Sequence, residues 1–436
     1  MARRHGLAPQ HRVADAKAAT RAMTVLHATE PATPYLSLFA RIDSFTRADL
    51  DNALFKSKSL VKQLAMRRTL FVFPRDLLPA AVSGPSARVA RQEYGRLVTD
   101  LERSRITGDG AGWLAASREA VLARLAGGAE LSATQLREDL AELAGQVSWY
   151  EHKPYGQVLH IAPRVLTWMG ATGDLVRGHN DSHWRITRPL WARMDDWLGA
   201  PVDRCEESVG YAELVASYLR TFGPVTERDL VWWFGATKGA MRQALSDLNA
   251  VQVRLEREQA GWVLPDDVDP EPPAGPWAAL LPALDSTALG WKERDFYLAP
   301  DFYSAIFDWS GNCGTTAWWN GRIVGSYVQD DAGRVKLIVP RDPGPAGRAA
   351  LQAEAKRLDG WLGGEKVTAL YKSPLVTWDR TGPVSEGVTS AAGPWRAGPR
   401  SPAKAAASRS APAPPRVRQS RGPCGSLLLS SRPRAA

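Results

Sequence analysis

The sequence predicts an α+β chain: one helical module used three times in tandem, then a small, mostly antiparallel α+β domain, then a disordered basic tail. Three observations lead there. The first is a cap pattern that recurs as Phe45-Thr46-Arg47-Ala48-Asp49-Leu50, Leu131-Ser132-Ala133-Thr134-Gln135-Leu136 and Val225-Thr226-Glu227-Arg228-Asp229-Leu230. Each copy reads as a helix N-cap with a reciprocal acceptor three residues on and an apolar residue just before it. The second is the common setting of the copies: a helical stretch before, further helical stretches after, then a strand-like run. The third is a change of pattern beyond a Pro-rich break at 265–276, where short apolar runs are separated by Asn320-Gly321 and Asp331-Ala332-Gly333. Asn-Gly between apolar runs is a strong hairpin signal.

Three helices followed by a hairpin make a winged helix, an elaboration of helix-turn-helix. Residues 1–80 are expected to be the first such module. A helical stretch over 14–40 precedes its cap, and 60–68 is read as a helix running into a strand at 69–73. The second module is placed at 81–190, with helices near 113–125 and after Ser132. Its hairpin is expected to pair 175–178 with 182–186. The third, 191–268, is clearest: helices over 211–222, 226–234 and 237–248, then a hairpin pairing 251–255 with 261–264. Trp232-Trp233-Phe234 is read as core. In the C-terminal domain, 277–380, strands are expected at 315–319, 322–327 and 335–339, with a helix over 346–362.

With 436 residues, 17 of them Trp, and 44% hydrophobic composition, the chain can build several sizeable cores. No run reaches the ~18 apolar residues that span a bilayer. The basic N-terminus lacks the apolar stretch of a secretory signal. Cys205, Cys313 and Cys424 form neither a disulfide framework nor a metal knuckle, so a reducing cytoplasm is the expected compartment. The net charge is +9, and the segment 391–436 carries nine Arg/Lys and no acid, leaving the remainder neutral. That tail, rich in Ala, Pro, Ser and Arg, is expected to be disordered. Within the neutral part, residues 1–80 hold thirteen Lys/Arg against six Asp/Glu. A nucleic-acid surface should centre there.

Two segments could carry chemistry. In 25–38, His27 and Thr29 sit two apart and would share a face of an extended stretch. They could orient a water, with Glu30 polarising it. The alternative is a helix break in which these groups only cap backbone atoms. In 60–73, Lys62, Arg67, Arg68 and Thr69 could hold phosphates; a solvated helix end would look the same. In the third module, Thr237, Lys238, Arg242 and Gln243 lie where a recognition helix makes contacts. His179 and His183 have a metal-like spacing but fall in a hairpin tip, the glycine run 108–112 lacks a phosphate-binding Lys, and there is no G-x-S-x-G elbow. No metal or other cofactor is expected.

Leu26-His27-Ala28-Thr29, Leu36-Ser37-Leu38-Phe39-Ala40-Arg41, Leu60-Val61-Lys62 and Ala65-Met66-Arg67-Arg68-Thr69-Leu70 resemble the bacterial winged-helix family that includes the AlkZ/YcaQ-type DNA glycosylases. Leu280-Leu281-Pro282-Ala283-Leu284-Asp285, Leu289-Gly290 and 320–325 look like that family's C-terminal domain. The resemblance covers about 10–375. It implies tandem winged helices around a concave DNA-binding face and excision of bulky alkylated purines or crosslinks. The family's active segment has Gln, an apolar residue, then Gln or Asp; His27 and Thr29 occupy those positions. Arg68 and Phe71 likewise stand where the family's Arg-Gly-Thr-Leu-His run has Gly and His. The resemblance implies a monomer acting on damaged double-stranded DNA, away from membranes and associated with the nucleoid when bound. Two other readings fit the same residues: a noncatalytic DNA-binding protein or transcriptional regulator, and a module that binds a protein partner.

Overall fold

The computed structural model describes residues 1–149 and 157–379. The expected tail, 391–436, lies outside them. The chain opens with α1 (Ala16–Ala22), whose N-cap Asp15 accepts a hydrogen bond from the Ala18 N–H. Thr24, at φ 63°, ends that helix, and β1 (Leu26–His27) follows. Then come α2 (Thr33–Phe39) and α3 (Arg47–Asp51). The expected helical stretch 14–40 is therefore two helices with a strand between them. Thr46 and Asp49 form the reciprocal cap before α3.

Next are β2 (Leu60–Ala65) and β3 (Thr69–Pro74), joined by a tight turn at Met66–Arg68. This corrects the helix expected over 60–68. The sheet order is β1-β3-β2, antiparallel, with His27 opposite Phe71 and Lys62 opposite Val72. Leu60, Val61, Gln63, Leu64 and Ala65 are all buried. The dense apolar run thus reflects a strand covered on both faces rather than a helical stripe. Helices supply the cover: β2 packs against α4 (Leu78–Ser83), α5 (Pro85–Arg103) and a later helix at Ala162–Thr172. Burying each large apolar side chain stabilises this arrangement by about 1.5–3 kcal/mol.

The middle of the chain continues with α6 (Gly110–Arg124), α7 (Ala133–Asp139), β4 (Gln146–Trp149), β5 (Gln157–His160), α8 (Ala162–Thr172), β6 (Leu175–Asn180), β7 (Pro189–Arg193) and α9 (Met194–Leu198). Ser132 and Gln135 form the second reciprocal cap. The partner of β6 is β7, not the expected 182–186. Trp191 and Ala192 are the residues that bury, whereas Ile186 is 49% exposed. Asn180 then shapes the intervening loop: its Nδ2 donates to the Ser182, His183 and Ile186 carbonyls, and its Oδ1 accepts the Arg188 N–H.

The next unit is α10 (Glu207–Phe222), α11 (Glu227–Phe234), α12 (Lys238–Asp247) and the hairpin β8 (Val251–Arg254) with β9 (Ala260–Val263). Thr226 and Asp229 make the third reciprocal cap, and Thr237 caps α12. The C-terminal region holds β10 (Ala278–Leu281), α13 (Tyr303–Ile306), β11 (Thr316–Trp319), β12 (Arg322–Gln329), β13 (Val335–Ile338), α14 (Gly344–Leu362) and α15 (Pro374–Asp379). Its four strands run antiparallel in sequence order, with α14 packed on β10 and β13. Asn320 and Gly321, both at positive φ, turn β11 into β12.

Candidate functional site

Strand pairing fixes His27. Its ring meets Phe71 edge-on at 5.4 Å between centroids, and only 8% of the residue is exposed. Burial, reinforced by the Arg67 guanidinium and opposed by Asp285, drives its pKa down to about 3. The imidazole is therefore neutral at physiological pH. The Thr29 N–H approaches Nδ1 at 3.4 Å, which assigns Nδ1 as acceptor and leaves the proton on Nε2. A neutral imidazole of such low basicity can donate and orient but is a poor proton acceptor. Thr29 stands exposed just past β1.

Glu30 turns elsewhere. Its carboxylate accepts the Tyr371 N–H at 2.8 Å and lines a cavity of about 270 Å³, together with Tyr327 and Leu36. Neither His27 nor Thr29 lines that cavity. Burial raises the Glu30 pKa, partly offset by the Tyr371 and Leu370 backbone. The structure brings His27 and Thr29 together and directs the Glu30 carboxylate into a separate space.

The basic residues divide by their company. Lys62 lies on β2 with its ammonium 5.5 Å from the Phe55 ring centre; burial, then Arg177, lowers its pKa to about 8. Arg67, at the β2–β3 tip, stacks over Trp232 at 4.3 Å. Arg68, beside it, pairs with Glu93 at 3.1 Å. Thr69 opens β3 opposite Ala65. Lys238 is exposed in the first turn of α12, whereas Arg242 is held by Glu227 through contacts of 2.7 and 3.2 Å. Of the expected cations, Arg68 and Arg242 are thus already neutralised by carboxylates.

Sequence reading missed Arg294, Lys292 and Trp232. Trp233 and Phe234 are buried as expected, but Trp232 is only half-buried. Its ring meets Arg67, Arg294 at 5.3 Å and Lys292 at 5.9 Å. Successive helix residues project about 100° apart, so an apolar triplet cannot all face the core. Arg294 is 5% exposed and donates to the Tyr303 hydroxyl at 2.8 Å.

An α+β chain of small antiparallel sheets built in this order has a known counterpart. The family profile described as DNA glycosylase AlkZ-like matches residues 20–361, and the chain belongs to that family. Among solved structures it is similar to the Streptomyces sahachiroi DNA glycosylase AlkZ: TM-score 0.65, 19% identity, covering 84% of this chain and 95% of that one. At that identity the likeness shows a shared fold. No curated protein matches significantly.

Proposed function

We propose that this chain binds damaged duplex DNA and hydrolyses the N-glycosidic bond of an alkylated purine. The observation that carries the reading is His27: a neutral imidazole, held by strand pairing at the family's active segment, with Nε2–H free to donate. The three helix-and-hairpin units are read as winged helices, with Lys62, Arg67, Arg68, Thr69, Lys238 and Arg242 on the DNA side.

In the reaction the C1′–N bond breaks and its electron pair goes to the purine. An N7-alkylated purine is cationic before cleavage and leaves neutral. The sugar passes through an oxocarbenium-like state that captures neutral water, whose proton then passes to solvent. Positioning therefore matters more than basicity. The Thr29 hydroxyl accepts from the water and His27 Nε2–H orients it. Glu30, aimed into its own cavity, has no part in this scheme.

The same placement of Glu30 favours a second reading. With the Glu30 carboxylate turned to the Tyr371 N–H and its own cavity, the fold serves equally as a noncatalytic DNA-binding protein or regulator. Release of free base from duplex containing N7-alkylguanine separates the two. Release that is lost in His27→Ala, with duplex binding retained, supports hydrolysis. Binding without release across several alkylated lesions supports the second reading.

A further inference from the structure

Arg67, Lys292 and Arg294 approach one indole from two regions of the chain, and none of the three enters an ion pair among the described residues. Arg294 is the sharpest case. It is 5% exposed, its Nη1 donates to the neutral Tyr303 hydroxyl, and its Nε has no hydrogen-bond partner. Phe307 lies 4.1 Å below the guanidinium. Aromatic faces favour a cation, yet they satisfy neither its charge nor its outward N–H groups. A buried guanidinium without a carboxylate, facing a second one, calls for an anion.

The backbone adds an independent sign. Arg67 and Arg68 sit at φ 54° and 62°, the left-handed region that non-glycine residues avoid. Strain of this kind persists where the surroundings enforce it and gathers at ligand sites. Here Gly235 makes room for it: a Cβ at that position would stand 3.0 Å from Arg67 Cγ. The loop carrying Lys292 and Arg294 is fixed as well, because Asp229 accepts the Lys292 and Glu293 N–H groups at 2.7 and 3.1 Å.

We infer that Arg67 and Arg294, with Lys292 at the rim and Trp232 as the floor, form a clamp for one backbone phosphodiester of the DNA presented to His27. The clamp rests on the DNA-binding reading above and deepens it. It draws one cation from the first module and two from the C-terminal region, so a held phosphate bridges the two. Arg67 lies in the turn that leads into β3, the strand that pairs with His27 through Phe71, and its charge adds to the lowering of the His27 pKa.

The test is duplex affinity of the full chain against salt, for wild type, Arg67→Gln, Arg294→Gln and the double variant. Losing one phosphate contact lowers the slope of log K against log salt by about 0.9. Each single variant should show that drop, and affinity should fall alike on damaged and undamaged duplex. The double variant should drop little further, because both cations hold the same phosphate. Arg294→Lys, which keeps the charge, should retain the slope, while Arg118→Gln, paired to Asp174 elsewhere, should leave it unchanged. Thermal melts identify any variant that fails to fold, and exposed Arg67 supplies the variant least open to that failure. Unchanged slopes in Arg67→Gln and Arg294→Gln overturn the clamp and leave DNA binding standing. Inorganic phosphate that raises the melting temperature only when both arginines are present, without a change in duplex slope, assigns the site to a free anion and overturns it too. A wild type that binds no duplex at low salt removes both readings together.

Discussion

At the scale of single residues, the chemistry is set by what each charge has for company. His27 illustrates the sign. An unfolded histidine takes up a proton near pH 6.5, whereas folded His27 resists until about pH 3. Between those values unfolding binds a proton, so stability falls as pH drops through the window and is unaffected by this group above it. The limiting slope is about 1.4 kcal/mol per pH unit. Denaturant midpoints at pH 7, 5 and 4 should therefore fall less steeply for His27→Gln than for wild type. Base release, if His27 acts as the neutral donor, should stay level from pH 6.5 to 8. A rise through pH 6–7 that disappears in His27→Gln would instead make it a general base. Arg67 brings an opposite pair of effects. Replacement by Gly relieves left-handed strain of about 1–3 kcal/mol and loses a cation–π contact of about 0.5–1 kcal/mol. Arg67→Gly should raise unfolding stability by about 1 kcal/mol while weakening duplex binding, read from paired melts and titrations.

At the scale of elements, the reciprocal caps show what a sequence can reveal. Thr46–Asp49, Ser132–Gln135 and Thr226–Asp229 all form as the residues suggest, because a cap spans three residues and needs nothing from the rest of the chain. Thr226→Ala should cost about 1 kcal/mol. Asp229→Ala should cost more, since the same carboxylate also holds the Lys292 and Glu293 N–H groups; a melting shift no larger than that of Thr226→Ala would show that the loop anchors itself. The third helical unit and the Asn320-Gly321 hairpin were legible for the same local reason. β2 was not, because its apolar run records cover from α4, α5 and α8, which sequence spacing does not display. The β6 partner was missed because burial of Trp191 and Ala192 outweighed a locally plausible register. His27 and Thr29 were found as neighbours on one short extended segment. Arg294 was not found, because its meaning depends on Arg67 and Trp232, which reach it only through the fold.

At the scale of the whole molecule, one buried ion pair links the two sides of the site. Arg41 and Asp285 are both wholly buried, with guanidinium–carboxylate contacts of 2.8 and 2.9 Å. The Ser37 hydroxyl donates to the same carboxylate, as does the Thr287 N–H. Burial alone would raise the Asp285 pKa, but Arg41 and these donors outweigh it and hold it below the usual value. The pair joins the end of α2 to the loop after β10, and so ties the region of β1 and the Arg67 turn to the region of Arg294. Removing one partner leaves a buried charge alone and should cost about 3–5 kcal/mol; replacing both with apolar groups of similar size should cost far less. Arg41→Met and Asp285→Leu should therefore each lower the melting temperature sharply, with the double variant recovering much of the loss. If alignment of the two regions, rather than stability alone, depends on the pair, the recovered double variant should still bind duplex DNA more weakly than wild type, with a shallower salt dependence. Full recovery of both affinity and slope would show that packing around α2 aligns the site without the charges.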